Sequence, residues 1–169
     1  KRIKEHENDE LFYNDKNLIH DSHEGGNQTI GYGHKLTDKE RDSGYVYGYR
    51  IDTLTKKQAD AIFNQDLQIA TDDVNSLVDF SKIDLQAYEV LIEMAFNLGR
   101  PKFKEFDKML QAVNAKIPQY HLASLHMQYN YKGDDYKNIS QKIGETLWYK
   151  QVGNRSKTLV RLMSNIEVI

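Results

Sequence analysis

Cysteine is absent from the 169 residues, and with it go disulfide bonds, thiol catalysis and cysteine-based metal sites. Long apolar runs are missing too: none approaches the roughly 18 residues of a membrane-spanning helix. No charged-then-apolar leader of the secretory kind opens the chain, which begins at Lys1 and reads as a processed or excised domain. Neither sign of charge is in excess. Lys and Arg number 23 against 25 Asp and Glu, for a net charge of −2 and a pI of about 6.3. A protein held on nucleic acid by bulk electrostatics needs a basic face, so nucleic acid is not an expected partner. Six histidines occur, but without a His-Glu-x-x-His or comparable spacing, so neither a metal nor another cofactor is expected.

What is present has the size of one domain, or of two lobes sharing a connecting helix. The N-terminal stretch to Lys35 is polar and rich in Asn, Asp, His and Gly. Arg2 to Glu7 reads as one or two helical turns. Leu11-Phe12-Tyr13 and Thr29-Ile30-Gly31-Tyr32 read as short strands, with turn chemistry at Glu24-Gly25-Gly26-Asn27 between them. From Lys35 to Arg50 aliphatic residues are few, and loop or irregular strand is expected.

The pattern changes at Thr55. Thr55-Lys-Lys-Gln58 is a capping box, in which a hydroxyl and an amide side chain satisfy each other's backbone donors. Ala59, Ile62, Phe63, Leu67, Ala70 and Val74 then recur at helical spacing. A second helix is predicted from Leu85, Tyr88, Leu91, Ile92, Ala95 and Phe96, stopped at Gly99 and followed by Pro101. Phe103, Phe106, Met109, Leu110 and Val113 suggest a third, ending before Pro118. A polar stretch from Gln128 to Gln141 separates a shorter helix from a final one with Leu159, Val160 and Met163 inside. The chain therefore reads as α+β: a small β-containing lobe over residues 1–54, then a connecting helix and helical lobe over 55–169, with a cleft between the lobes.

Glu5, Glu7, Asp9, Glu10, Asp15, Asp21 and Glu24 crowd the N-terminal lobe. A solvated acidic surface accounts for most of them. Glycoside hydrolysis, however, needs only two carboxyls flanking a sugar, one protonated and one ionised. Thr29-Ile-Gly-Tyr-Gly-His34 is the more specific signal, because its glycines permit close backbone approach.

His6-Glu7, Leu11-Phe-Tyr-Asn-Asp15 and TIGYGH, in that order, resemble the N-terminal signature of the phage lysozymes, the T-even phage lysozyme-like muramidases. Leu54 to Leu67 resembles the start of that family's long connecting helix. Leu91-Ile-Glu-Met-Ala-Phe-Asn-Leu-Gly99 is similar to its central C-terminal helix, and Leu147 to Ser156 to its Trp-Tyr-x-Gln-x-x-x-Arg segment. The resemblance implies a lysozyme-like α+β fold and a peptidoglycan hydrolase cleaving the β-1,4 bond between N-acetylmuramic acid and N-acetylglucosamine. It implies Glu7 as general acid, Thr29 positioning the attacking water, an aspartate as base, and inversion at the anomeric carbon. It pairs Arg155 with Glu7, and joins His34 and Asp66 in a structural ion pair. The enzyme it implies is phage-encoded and acts in the host periplasm or wall, as a free endolysin or as part of a larger tail or toxin protein.

The sequence departs from the family in three places. Asn8 stands where Gly usually follows the glutamate. The segment between Tyr13 and Thr29 is longer, which leaves Asp15 (preferred, for its Tyr-x-Asp context) and Asp21 as candidates for the base. A Tyr- and Asp-rich insertion spans Tyr129 to Tyr136 and reads as exposed loop. Two further readings stay open: a lytic transglycosylase using Glu7 alone, and a wall-binding tail module without turnover. Trp148 and Tyr149 read as packing residues.

Overall fold

Two compact units, Lys1–Ile69 and Ala70–Ile169, divide the chain in a computed structural model that describes residues 1–14, 18–21, 28–78, 83–116, 141 and 154–164. The first unit opens with two short helices, α1 (Arg2–Glu7) and α2 (Asp9–Asn14). Strands β1 (Ile19–Asp21), β2 (Gln28–Ile30) and β3 (His34–Lys35) follow and form an antiparallel sheet in that order. Its register sets Ile19 opposite Ile30, His20 opposite Thr29 and Asp21 opposite Gln28. On the other side of β2, Thr29 meets Lys35 and Ile30 meets His34.

Leu11-Phe12-Tyr13, expected as strand, is helical. The reason lies just upstream: the Asn8 side chain accepts a hydrogen bond from Leu11 N at 3.0 Å and caps α2. Leu11 is fully buried while Tyr13 is exposed, an in–out pattern that one turn of helix accommodates as well as a strand does.

The segment from Lys35 to Arg50 is also more regular than expected. It holds α3 (Asp38–Ser43), begun by a Thr37–Glu40 capping box and ended by Gly44 in the left-handed conformation at φ +73. A two-stranded hairpin follows, β4 (Tyr45–Val46) with β5 (Tyr49–Arg50). Its turn residues Tyr47 and Gly48 both have positive φ, the backbone twist that tight hairpins favour. No residue of α3 is buried, so it carries no apolar periodicity to announce it.

Helix α4 (Lys56–Asn75) starts where the second capping box predicts. Thr55 N donates to Gln58 Oε1 at 2.8 Å, and Gln58 N to Thr55 Oγ1 at 3.3 Å. The boundary between the two units falls within this helix. Among the described residues of the first unit, Leu11, Ile30, Tyr32, Leu36, Val46, Leu54, Ala59, Ile62 and Phe63 form the buried apolar set.

The second unit is helical. Asp84 caps α5 (Leu85–Lys104), accepting from Gln86 N at 2.7 Å. Gly99 interrupts α5 at φ +71, ψ +157, and the chain resumes helical geometry with Pro101 in the new first turn, where its missing N–H costs nothing. The expected third helix is thus divided: Phe103 closes α5, while Met109, Leu110 and Val113 belong to α6 (Asp107–Lys116). Leu85 is 70% exposed rather than inward. The last described helix, α7 (Asn154–Ser164), buries Leu159 and Met163 with Val90, Leu91, Met94, Phe103 and the α6 residues in one core. The polar stretch that begins at Gln128 lies outside the described residues except for Gln141. So do the insertion at Tyr129 to Tyr136, Trp148 and Tyr149. No helix among the described residues is long and apolar enough to cross a membrane.

Candidate active site

Glu7 is the last residue of α1. The next residue, Asn8, leaves the helix in extended conformation (φ −159, ψ +87) and is only 7% exposed. Its Oδ1 caps α2, and its Nδ2 donates to Gly31 O at 2.9 Å. One amide therefore joins three features: the end of the helix carrying Glu7, the start of α2, and the turn that follows β2.

That turn, Gly31-Tyr32-Gly33, runs against Glu7 itself. A Cβ placed on Gly33 would lie 2.8 Å from Glu7 Oε2 and 3.0 Å from its Cδ. Gly33 also sits at φ +97, where L side chains are strained. The other glycine, Gly31, lets the turn pack on α4, since a Cβ there would stand 3.1 Å from Ala59 Cβ. Thr29 is 3% exposed in β2, four residues before Gly33.

Lys4, one turn before Glu7, ties α1 to α4. Its Nζ reaches Asp60 Oδ1 at 2.5 Å and stands 5.0 Å from the ring centroids of both Tyr32 and Phe63, within cation–π range. Those two rings meet edge to face at 5.8 Å.

His34 and Asp66 are brought together at 2.9 Å through Nδ1. The other ring nitrogen, Nε2, is 3.2 Å from Glu40 Oε1, and Tyr47 donates to the second Asp66 oxygen at 2.7 Å. Burial opposes charge on His34, but the hydrogen bonds and attraction of Asp66 and Glu40 outweigh it and raise its pKa. Burial also acts upward on Glu40, yet hydrogen bonds from Thr37 and the nearby His34 hold it below the ordinary carboxylate value. Burial and the Asp66 contact both push the Tyr47 hydroxyl up.

The remaining candidates are located by backbone alone or not at all. Asp21 ends β1, across from Gln28, and its side chain lies outside the described residues, as does Asp15 altogether. Arg155 is the second residue of α7 in the second unit, with its side chain likewise outside them. Sequence reasoning missed Glu40, Tyr47, Lys4 and the role of Asn8. Only Glu40 had a local signal, the Thr37-x-x-Glu40 box.

The profile of one family, described as phage lysozyme, matches residues 14–142, about three quarters of the chain. The chain belongs to the phage lysozyme family. It is a lytic enzyme of the glycosidase type acting on peptidoglycan. The match includes Thr29, His34 and Asp66 and leaves Glu7 and Arg155 outside its limits. A search of curated proteins finds no match.

Proposed function

We propose that the protein is an inverting muramidase cleaving the β-1,4 bond between N-acetylmuramic acid and N-acetylglucosamine, with Glu7 as general acid. The observation that carries this reading is the seating of the Glu7 carboxylate against Gly33, in the turn that leaves the Thr29 strand. A carboxyl packed against a backbone turn is limited in where it can aim, as proton transfer needs.

In this mechanism Glu7 protonates the glycosidic oxygen as the bond to the anomeric carbon breaks. Thr29 positions a water on the opposite face of the sugar, and an aspartate accepts its proton as it attacks. Asp15 is the preferred base and Asp21 the alternative; inversion calls for carboxyl groups about 6.5–9.5 Å apart. Arg155 pairs with Glu7 in the same scheme, and His34 with Asp66 braces the sheet against α4. The chain works as a single lysozyme-like domain, with residues 1–54 as N-terminal lobe and 55–169 as connecting helix and helical lobe, in a phage endolysin or a tail-associated protein.

The test is Glu7→Gln assayed on purified peptidoglycan. Loss of a general acid costs about 10²–10⁴ in rate, so release of reducing ends should fall by that amount with the fold intact. Retained activity would remove Glu7 from the mechanism. Product mass tests the rest: a mass lacking the added water identifies a transglycosylase, and no turnover by the unaltered chain identifies a binding module.

A further inference from the structure

A cavity of about 560 Å³ opens elsewhere on the first unit, between the end of α3, the β4–β5 hairpin and the edge of the three-stranded sheet; Glu7 and Thr29 are not among its lining residues. We infer that this cavity is a second saccharide-binding site, which holds a stretch of the glycan strand away from the bond being cleaved. The inference rests on the peptidoglycan-lytic activity of the family, not on the roles of Glu7 or the aspartate.

Its lining has the chemistry that sugars require. Tyr45 is 48% exposed, and an exposed aromatic ring offers the apolar face on which a pyranose C–H face stacks. Beside it, Arg50 and Asp52 form a planar fork, with Nε to Oδ1 at 3.1 Å and Nη2 to Oδ2 at 2.6 Å. Both side chains are more than half exposed, so the fork presents spare donors and acceptors in one plane to vicinal hydroxyls. Arg41, the other cation of the lining, pairs with Asp38 and donates to Leu36 O at 3.1 Å. Each arginine is thus matched by a carboxylate, which suits a neutral polyhydroxyl ligand better than a polyphosphate.

The walls are also fixed in advance. Ser43 Oγ accepts from Tyr45 N at 3.3 Å and donates back to Glu40 O at 3.3 Å, tying the hairpin to the end of α3. Ile51 N donates to Gly44 O at 3.0 Å and closes the hairpin onto the helix end. The volume lies within the range of small-ligand sites, about 300–1,000 Å³. A second contact on a polymeric substrate raises the effective concentration of the first, so its loss is felt on long glycan and not on short fragments.

The experiment measures co-sedimentation of the full chain with insoluble peptidoglycan sacculi, and turnover on a short soluble peptidoglycan fragment, for Tyr45→Ala, Tyr45→Phe and Arg50→Ala. Tyr45→Ala and Arg50→Ala should each weaken sacculus binding about tenfold, the equivalent of about 1.4 kcal/mol. Tyr45→Phe should restore it, and turnover on the short fragment should be unchanged in all three. Sacculus binding equal to the parent in both alanine variants would overturn the proposal. So would an equal fall in turnover on the short fragment, which would put Tyr45 in the primary site. If Tyr45→Ala does not fold, Arg50→Ala alone decides, because its side chain is more than half exposed and its ion pair is the exposed one with Asp52. Binding is read on ice, before the sacculi are degraded, so an error in the acid or base assignment leaves this test standing.

Discussion

Glu7 lies so close to Gly33 that a Cβ on the glycine would stand 2.8 Å from a carboxylate oxygen, closer than real Cβ atoms come. The glycine is thus a positioning element for the carboxyl as well as a turn residue.

Gly33→Ala should separate these two roles when compared with Gly48→Ala. Both glycines have positive φ, at +97 and +85, but nothing lies within 4 Å of a Cβ on Gly48. Each substitution should cost about 1–2 kcal/mol for a left-handed alanine. Only Gly33→Ala should also reduce lysis, by about a hundredfold for a displacement of the proposed acid, Glu7, on the order of 1 Å. Turbidity clearing of permeabilised cells, with thermal midpoints for both variants, checks this; equal activity in the two would refute the positioning role.

Asn8→Ala removes a cap, at about 1–2 kcal/mol, and the bond to Gly31 O, at about 1 kcal/mol. The thermal midpoint should fall by about 2–4 °C for each kcal/mol lost. Asn8→Asp keeps the cap acceptor but not the Nδ2 donor, so its loss should be intermediate if both bonds matter.

The His34 cluster predicts a pH dependence. The folded-state pKa of His34 is raised above 6.5, so its stabilisation is complete below pH 6.5 and fades as pH rises through the raised value. Glu40 is lowered from 4.5, so its contribution is present above pH 4.5 and is lost as pH falls through the lowered value. Both act together in mildly acidic solution. His34→Gln should therefore lower the thermal midpoint most at about pH 5–6, with the gap to the parent narrowing on the alkaline side. A gap that widens with pH would contradict the paired-carboxylate account.

In the second unit, Leu91→Ala empties a fully buried position between α5 and its neighbours. The cost should be about 2–5 kcal/mol, read as a lower denaturant midpoint with the slope unchanged.

Much of this architecture was legible from local chemistry. The Thr55–Gln58 box, the apolar repeat behind it and the Gly99 break are short-range features, and each stands in the structure close to where the residues imply. The failures were local as well. Helix α3 escaped because it is exposed throughout and leaves only its Thr37–Glu40 cap as a signal. The Leu11 segment was misread because its helix depends on a side-chain cap from Asn8, a residue that stood out only as a departure from the family.

For Glu7, the sequence by itself determined a glutamate at a helix end and two glycines, Gly31 and Gly33, more than twenty residues later, and the family to which they point. Only the tertiary structure decided that Gly33 rather than Gly31 meets the carboxylate, and that Asn8 fastens the two together. It likewise added Glu40, six residues away, as a second partner of His34 beside Asp66, which the resemblance already implied. The physical reason is range. Caps, breaks and periodicity act within a few residues and are written into the chain, whereas the fit of a carboxylate against a backbone exists only once distant segments share one packed surface.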